Sequence, residues 1–101
     1  MAKKSMLNRE VRRQKLAKRF AAKREALRAV LNDQSAEFDA KMQASAALSK
    51  LPRDSAVERQ MRRCAITGRP KGVYRKFALG RNKLRQLAMA GEIPGLRKGS
   101  W

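Results

Sequence analysis

The stretch Cys64-Ala-Ile-Thr-Gly-Arg-Pro-Lys-Gly-Val-Tyr-Arg-Lys-Phe-Ala-Leu-Gly-Arg81 decides how this chain can fold. Gly68, Pro70 and Gly72 fall within five residues, so the backbone must turn there and no helix can pass through. Val73-Tyr74-Arg75-Lys76-Phe77 follows as one short extended stretch. Beyond it, Leu79 to Ala90 reads as a helix with Leu84, Leu87 and Ala88 on one side and Gly91 as its stop signal. The tail from Ile93 to Trp101 reads as extended, with no stable structure of its own.

Upstream of the turn the pattern is helical. Arg9 to Leu31 contains no Gly or Pro and is built mainly of Ala, Arg, Lys, Leu and Glu, all good helix formers. Leu16, Phe20, Leu27 and Leu31 make a thin apolar stripe that Arg24 interrupts, and cations occupy the rest of the cylinder. Asn32-Asp33-Gln34-Ser35 supplies turn and capping residues. A second helix is expected from Ser35 to Leu51, with Glu37 and Asp39 at its positive end and Pro52 as its stop. Phe38, Met42, Leu48 and Leu51 are expected to meet the stripe of the first helix. Residues 54–61 read as a short helix or a loop.

Charge sorts these segments by partner. The 101 residues carry 26 Lys or Arg against 8 Asp or Glu, a net charge of +18. Residues 1–32 contribute +9 and residues 59–91 contribute +10 with no acid among them, while residues 33–58 sum to −2. So dense a cation set needs a polyanion, and the acidic middle block is the place for protein contact. No apolar run approaches the roughly 20 residues that span a bilayer, and the N-terminus lacks the apolar stretch of a secretory signal. The chain reads as cytoplasmic and as starting at Met1.

The chemical inventory excludes most catalysis. There is one cysteine, Cys64, and no histidine, so this chain alone offers neither a multi-ligand metal site nor the usual base for a nucleophile. It reads as no enzyme and as needing no cofactor. A membrane-surface protein would need a broad apolar helix face, and a DNA-binding protein would need a helix-turn-helix or dimer stripe; neither is present.

What remains is RNA. Arg62, Arg63, Arg69, Lys71, Arg75, Lys76, Arg81 and Arg85 can neutralise phosphates, with arginine adding a planar fork. Gly68 and Gly72 allow close backbone approach. Tyr74 and Phe77 can stack on bases or pack with Leu79 and Leu84; Phe77 reads as core, and Tyr74 stays open between the two. The expected fold is mostly α: a small, extended RNA-bound protein. It has an N-terminal helical hairpin, a Gly/Pro/Arg-rich turn with a short extended stretch, a C-terminal helix and an extended tail. Two parts are expected, residues 1–58 and an RNA-binding module with tail at 59–101.

The quoted run, followed by Arg85 and by Gly91-Glu-Ile-Pro-Gly-Leu-Arg-Lys-Gly-Ser-Trp101, resembles the small-subunit ribosomal protein fourteen family. Leu51-Pro-Arg-Asp-Ser55 and the basic first helix resemble its longer bacterial form. The resemblance implies a structural role on ribosomal RNA in the subunit head, on the three-prime domain. Ribosomal proteins three and ten would be its neighbours, and the decoding region would lie nearby. It adds Arg97, Lys98 and Trp101 of the tail to the RNA-contacting positions above. One version of the family binds zinc through two Cys-x-x-Cys pairs. The matching positions here are Cys64, Thr67, Gly80 and Lys83, so three of four ligands are absent and the chain resembles the zinc-free version.

Overall fold

The computed structural model describes residues 1–100. Its elements are α1 (Lys4–Asn32), α2 (Phe38–Lys50), two short 3-10 turns (Arg53–Ser55 and Val57–Arg59), β1 (Val73–Tyr74), β2 (Leu79–Gly80) and α3 (Arg81–Met89). The architecture is mostly helical, with most of the helix in α1, where the Gly- and Pro-free run from Arg9 to Leu31 lies. The chain forms two compact units: one is Asn8–Gln60, and the other joins Met1–Leu7 to the segment from Met61 onward.

In the first unit α1 presents one face on which Arg13, Leu16, Ala17, Phe20, Arg24, Leu27 and Leu31 recur at helical spacing, all of them at least half-buried. Arg24 is therefore no break in the stripe. Its Nε donates to Ser55 Oγ at 2.9 Å and one Nη to the Pro52 carbonyl at 3.3 Å. Ser55, only 1% exposed, donates in turn to that same carbonyl. Arg13 sits 3.5 Å from Asp54 and Arg28 2.8 Å from Glu58, so a row of arginines fastens the segment after α2 along α1.

The second helix starts later than Ser35, and the capping residues explain why. The Asp33 carboxylate accepts the Ser35 backbone N–H at 3.0 Å and its hydroxyl at 2.7 Å, which holds residues 33–35 in a side-chain-closed turn. These bonds also hold the Asp33 carboxyl below its usual pKa. Glu37, extended at ψ 151, becomes the residue before the helix. The expectation that Phe38 and Met42 meet α1 is corrected: they are 75% and 56% exposed. Phe38 and Met42 lie on one side of the helix, about 100° round from Leu48, and Leu51 falls just beyond the helix end, so the four never shared a face. The buried positions are Ala44 and Leu51, with Leu48 half-buried.

In the second unit, Val73–Phe77 is not one strand. Val73 pairs with Gly80 and Tyr74 with Leu79 in an antiparallel hairpin. Its loop, Arg75-Lys76-Phe77-Ala78, closes with the Ala78 N–H on the Tyr74 carbonyl at 2.8 Å and Ala78 at φ 53. Leu79 is thereby spent on the hairpin, and α3 begins at Arg81. At its other end α3 stops as predicted at Gly91. The Gly91 N–H reaches the Ala88 carbonyl, the Glu92 N–H reaches that of Leu87, and Gly91 adopts φ 75, a Schellman closure. The tail is not simply extended, because Pro94-Gly95 turns it, with Gly95 at φ 76 and the Leu96 N–H on the Ile93 carbonyl.

Candidate nucleic-acid interface

The turn from Cys64 to Gly72 is a knuckle closed by its own backbone. The Cys64 N–H donates to the Arg69 carbonyl at 3.0 Å, and the Gly68 N–H returns to the Cys64 carbonyl at 2.9 Å. Gly68 takes φ 72, and a Cβ there would sit 2.7 Å from Leu7 Cδ2, so any other residue would be strained and would have to displace the Leu7 side chain in the first turn of α1. The Ala2 N–H adds a bond to the Thr67 carbonyl at 3.1 Å. Two further bonds join the knuckle to the hairpin, from the Ala65 N–H to Ala78 and from the Arg81 N–H to Gly72.

Cys64, 3% exposed, is the knuckle's centre. Its sulphur accepts hydrogen bonds from the Thr67 hydroxyl and from the backbone N–H groups of Thr67, Gly80 and Ile66. Led by the Thr67 hydroxyl, they lower its pKa from 9.0 to about 6 against the opposing effect of burial. A Cβ built on Gly80 would lie 3.7 Å from that sulphur. The fold thus brings Cys64, Thr67 and Gly80 together, with hydrogen bonds to the Cys64 sulphur closing the site. Among the described residues, no three His, Cys, Asp or Glu side chains gather as a metal set.

The outer face of α3 forms a groove of about 370 Å³ with the hairpin and the turned tail. Tyr74, Arg81, Arg85, Arg97 and Lys98 line it over a floor of Leu84, Ala88 and Leu96. Half of Tyr74 is exposed, and the groove lining holds four cations and no acid. Sequence reading named the five polar residues of this lining but not what joins them. The Pro94-Gly95 turn brings the tail cations to α3.

The other predicted residues are spread more widely. Arg75 and Lys76 stand exposed at the hairpin tip, where the Lys76 ammonium sits 5.7 Å from the centre of the half-buried Phe77 ring. Arg62, just before the knuckle, and Lys71, within it, are both exposed. Arg63 and Arg69 are half-buried and partly structural: Arg63 Nη1 donates to the Gly68 carbonyl at 2.9 Å and Arg69 Nε to the Lys71 carbonyl at 3.0 Å. Trp101 lies outside the described residues. Asn82, Lys83 and Gln86 lie on the side of α3 that faces the knuckle, and the sequence reading gave none of them an RNA-contacting role. Their helical spacing, together with the knuckle's position, is what singles them out.

No helix among the described residues is long and apolar enough to cross a membrane. The profile of the ribosomal protein S14p/S29e family matches residues 47–100. The small ribosomal subunit protein uS14 of Xanthomonas campestris pv. campestris strain B100 is 56% identical over 101 residues, the whole of both chains. That of Stenotrophomonas maltophilia strain R551-3 is 54% identical, again over the whole of both.

Proposed function

We infer the function from a premise these likenesses establish: the chain belongs to the ribosomal protein S14p/S29e family, structural constituents of the small ribosomal subunit and not enzymes. On that premise, the chain binds ribosomal RNA in the subunit head, on the three-prime domain, and supports head assembly and the geometry of the decoding region. The observation that carries this reading is the acid-free groove in which the Tyr74 ring meets Arg81, Arg85, Arg97 and Lys98. Four cations held this close repel one another until phosphates neutralise them, and an exposed phenol ring among them suits an unpaired base. Arg75 and Lys76 at the hairpin tip extend the same charge.

The protein-facing surface is the start of α2. Asp54 pairs with Arg13 and Arg59, and Glu58 with Arg28, so these two acids are consumed within their own unit. Glu37 and Asp39 remain beside the exposed Phe38 and Met42, a patch RNA would avoid and a basic protein would favour. Ribosomal proteins three and ten are the proposed neighbours.

Two charge-matched variants test the RNA reading. Arg85→Glu with Arg97→Glu, and Lys41→Glu with Lys50→Glu, remove the same net charge from different places. On three-prime-domain RNA the first pair should lose at least about tenfold in affinity. It should also flatten the salt dependence by about 0.7 log unit per lost contact to an unpaired strand. Equal losses from both pairs would mean diffuse attraction with no localised site.

A further inference from the structure

The other side of α3 holds a second cavity, of about 490 Å³, between that helix, the knuckle and the first residues of the chain. We propose that it receives one unpaired nucleotide of the bound RNA, with its phosphate held by Arg69 and Lys83 and its base edge met by the side-chain amides of Asn82 and Gln86. This rests on the RNA-binding reading above and names a site apart from the Tyr74 groove.

Three features carry it. The first is charge: Arg63, Arg69 and Lys83 line the cavity and no acid does. Arg69 spends only Nε on protein, and Arg63 Nε is buried with no hydrogen-bond partner among the described residues. Gly80, just before the first turn of α3, also lines the cavity and offers no side-chain cap to that turn. The second is size. About 490 Å³ lies within the roughly 300–1,000 Å³ typical of small-molecule sites and is far more than a phosphate alone would fill. The third is the walls. Met6 and Pro70 give an apolar flank against which a base can lie. Asn82 and Gln86, one helical turn apart, present amides with no protein partner among the described residues. An amide carries both donors and an acceptor, which is what the polar edge of an unpaired base requires.

The test uses the full chain bound to three-prime-domain RNA, probed by dimethyl sulfate for base edges and hydroxyl radicals for the backbone. The wild type should protect one unpaired base that Asn82→Ala with Gln86→Leu re-exposes about tenfold, leaving the backbone footprint in place. Lys83→Glu should instead weaken the backbone footprint near that nucleotide. Should the double variant lose its whole footprint, Gln86→Leu alone decides by the same criterion. Base reactivity unchanged by either amide variant, with Lys83→Glu still weakening binding, would reduce the cavity to a phosphate site and overturn the proposal. A wild-type chain that leaves no footprint would overturn the RNA-binding reading itself.

Discussion

Cys64 stands alone where a metal-binding knuckle would hold four thiolates, and the hydrogen bonds on its sulphur favour the thiolate form. Its folded pKa, about 6, lies below the ordinary 9.0, so the thiolate is favoured by the fold. Stability from this group is fully present above pH 9, declines as pH falls, and is gone below about 6. Amide exchange across residues 61–81 in the RNA complex should accelerate as pH drops through that window, after correction for intrinsic rates. In Cys64→Ala the extra acceleration should vanish, and the knuckle should be weaker at neutral pH by about 2 kcal/mol, the scale of a charged hydrogen-bond set. Two glycines give a second contrast. Gly68 and Gly91 share positive φ, but a Cβ at Gly68 strikes Leu7, whereas at Gly91 nothing lies within 4 Å. Gly91→Ala should cost about 1 kcal/mol of backbone strain. Gly68→Ala should cost clearly more and should loosen residues 1–7, read as their amide protection.

At the scale of elements, turn chemistry rather than propensity placed the boundaries. Asp33 drew Ser35 into a turn and delayed α2, and the Ala78–Tyr74 bond folded a presumed strand into a hairpin. The knuckle and hairpin also set up a metal test. Gly80 has φ −66, and a Cβ there meets Cys64 at ordinary contact distance, so cysteine fits. Thr67→Cys, Gly80→Cys and Lys83→Cys together should therefore bind one zinc and gain order through residues 64–83 as ligand capture drives folding. The parent chain should bring none through gel filtration, by metal analysis. One retained equivalent in the parent would mean that the chain is of the zinc-binding version of the family.

For the whole molecule, +18 of charge stands against a core whose buried apolar members are only Ala17, Ala44, Leu51 and Cys64 among the described residues. So little buried area offsets chain entropy poorly, and like charges add repulsion. The free chain in low salt should show weak, non-cooperative helical circular dichroism. Three-prime-domain RNA should raise the helical signal and make melting cooperative. A cooperative, fully helical melt of the free chain would contradict this.

The sequence by itself determined the mostly helical class, the turn at Gly68 to Gly72, the stop at Gly91 and the acid-free, strongly basic segment 59–91. Each of these follows from local backbone rules or from summed charge, which need no knowledge of neighbours. Tertiary structure decided which cations share a site. Arg97 and Lys98 reach α3 only because Pro94-Gly95 turns the tail, and Arg24 became a structural clamp only because Ser55 lies against it. It likewise left Phe38 bare and drew Asn82 and Gln86 to a cavity wall. Side-chain roles at long sequence separation depend on chain geometry summed over many residues, and no local pattern carries that sum.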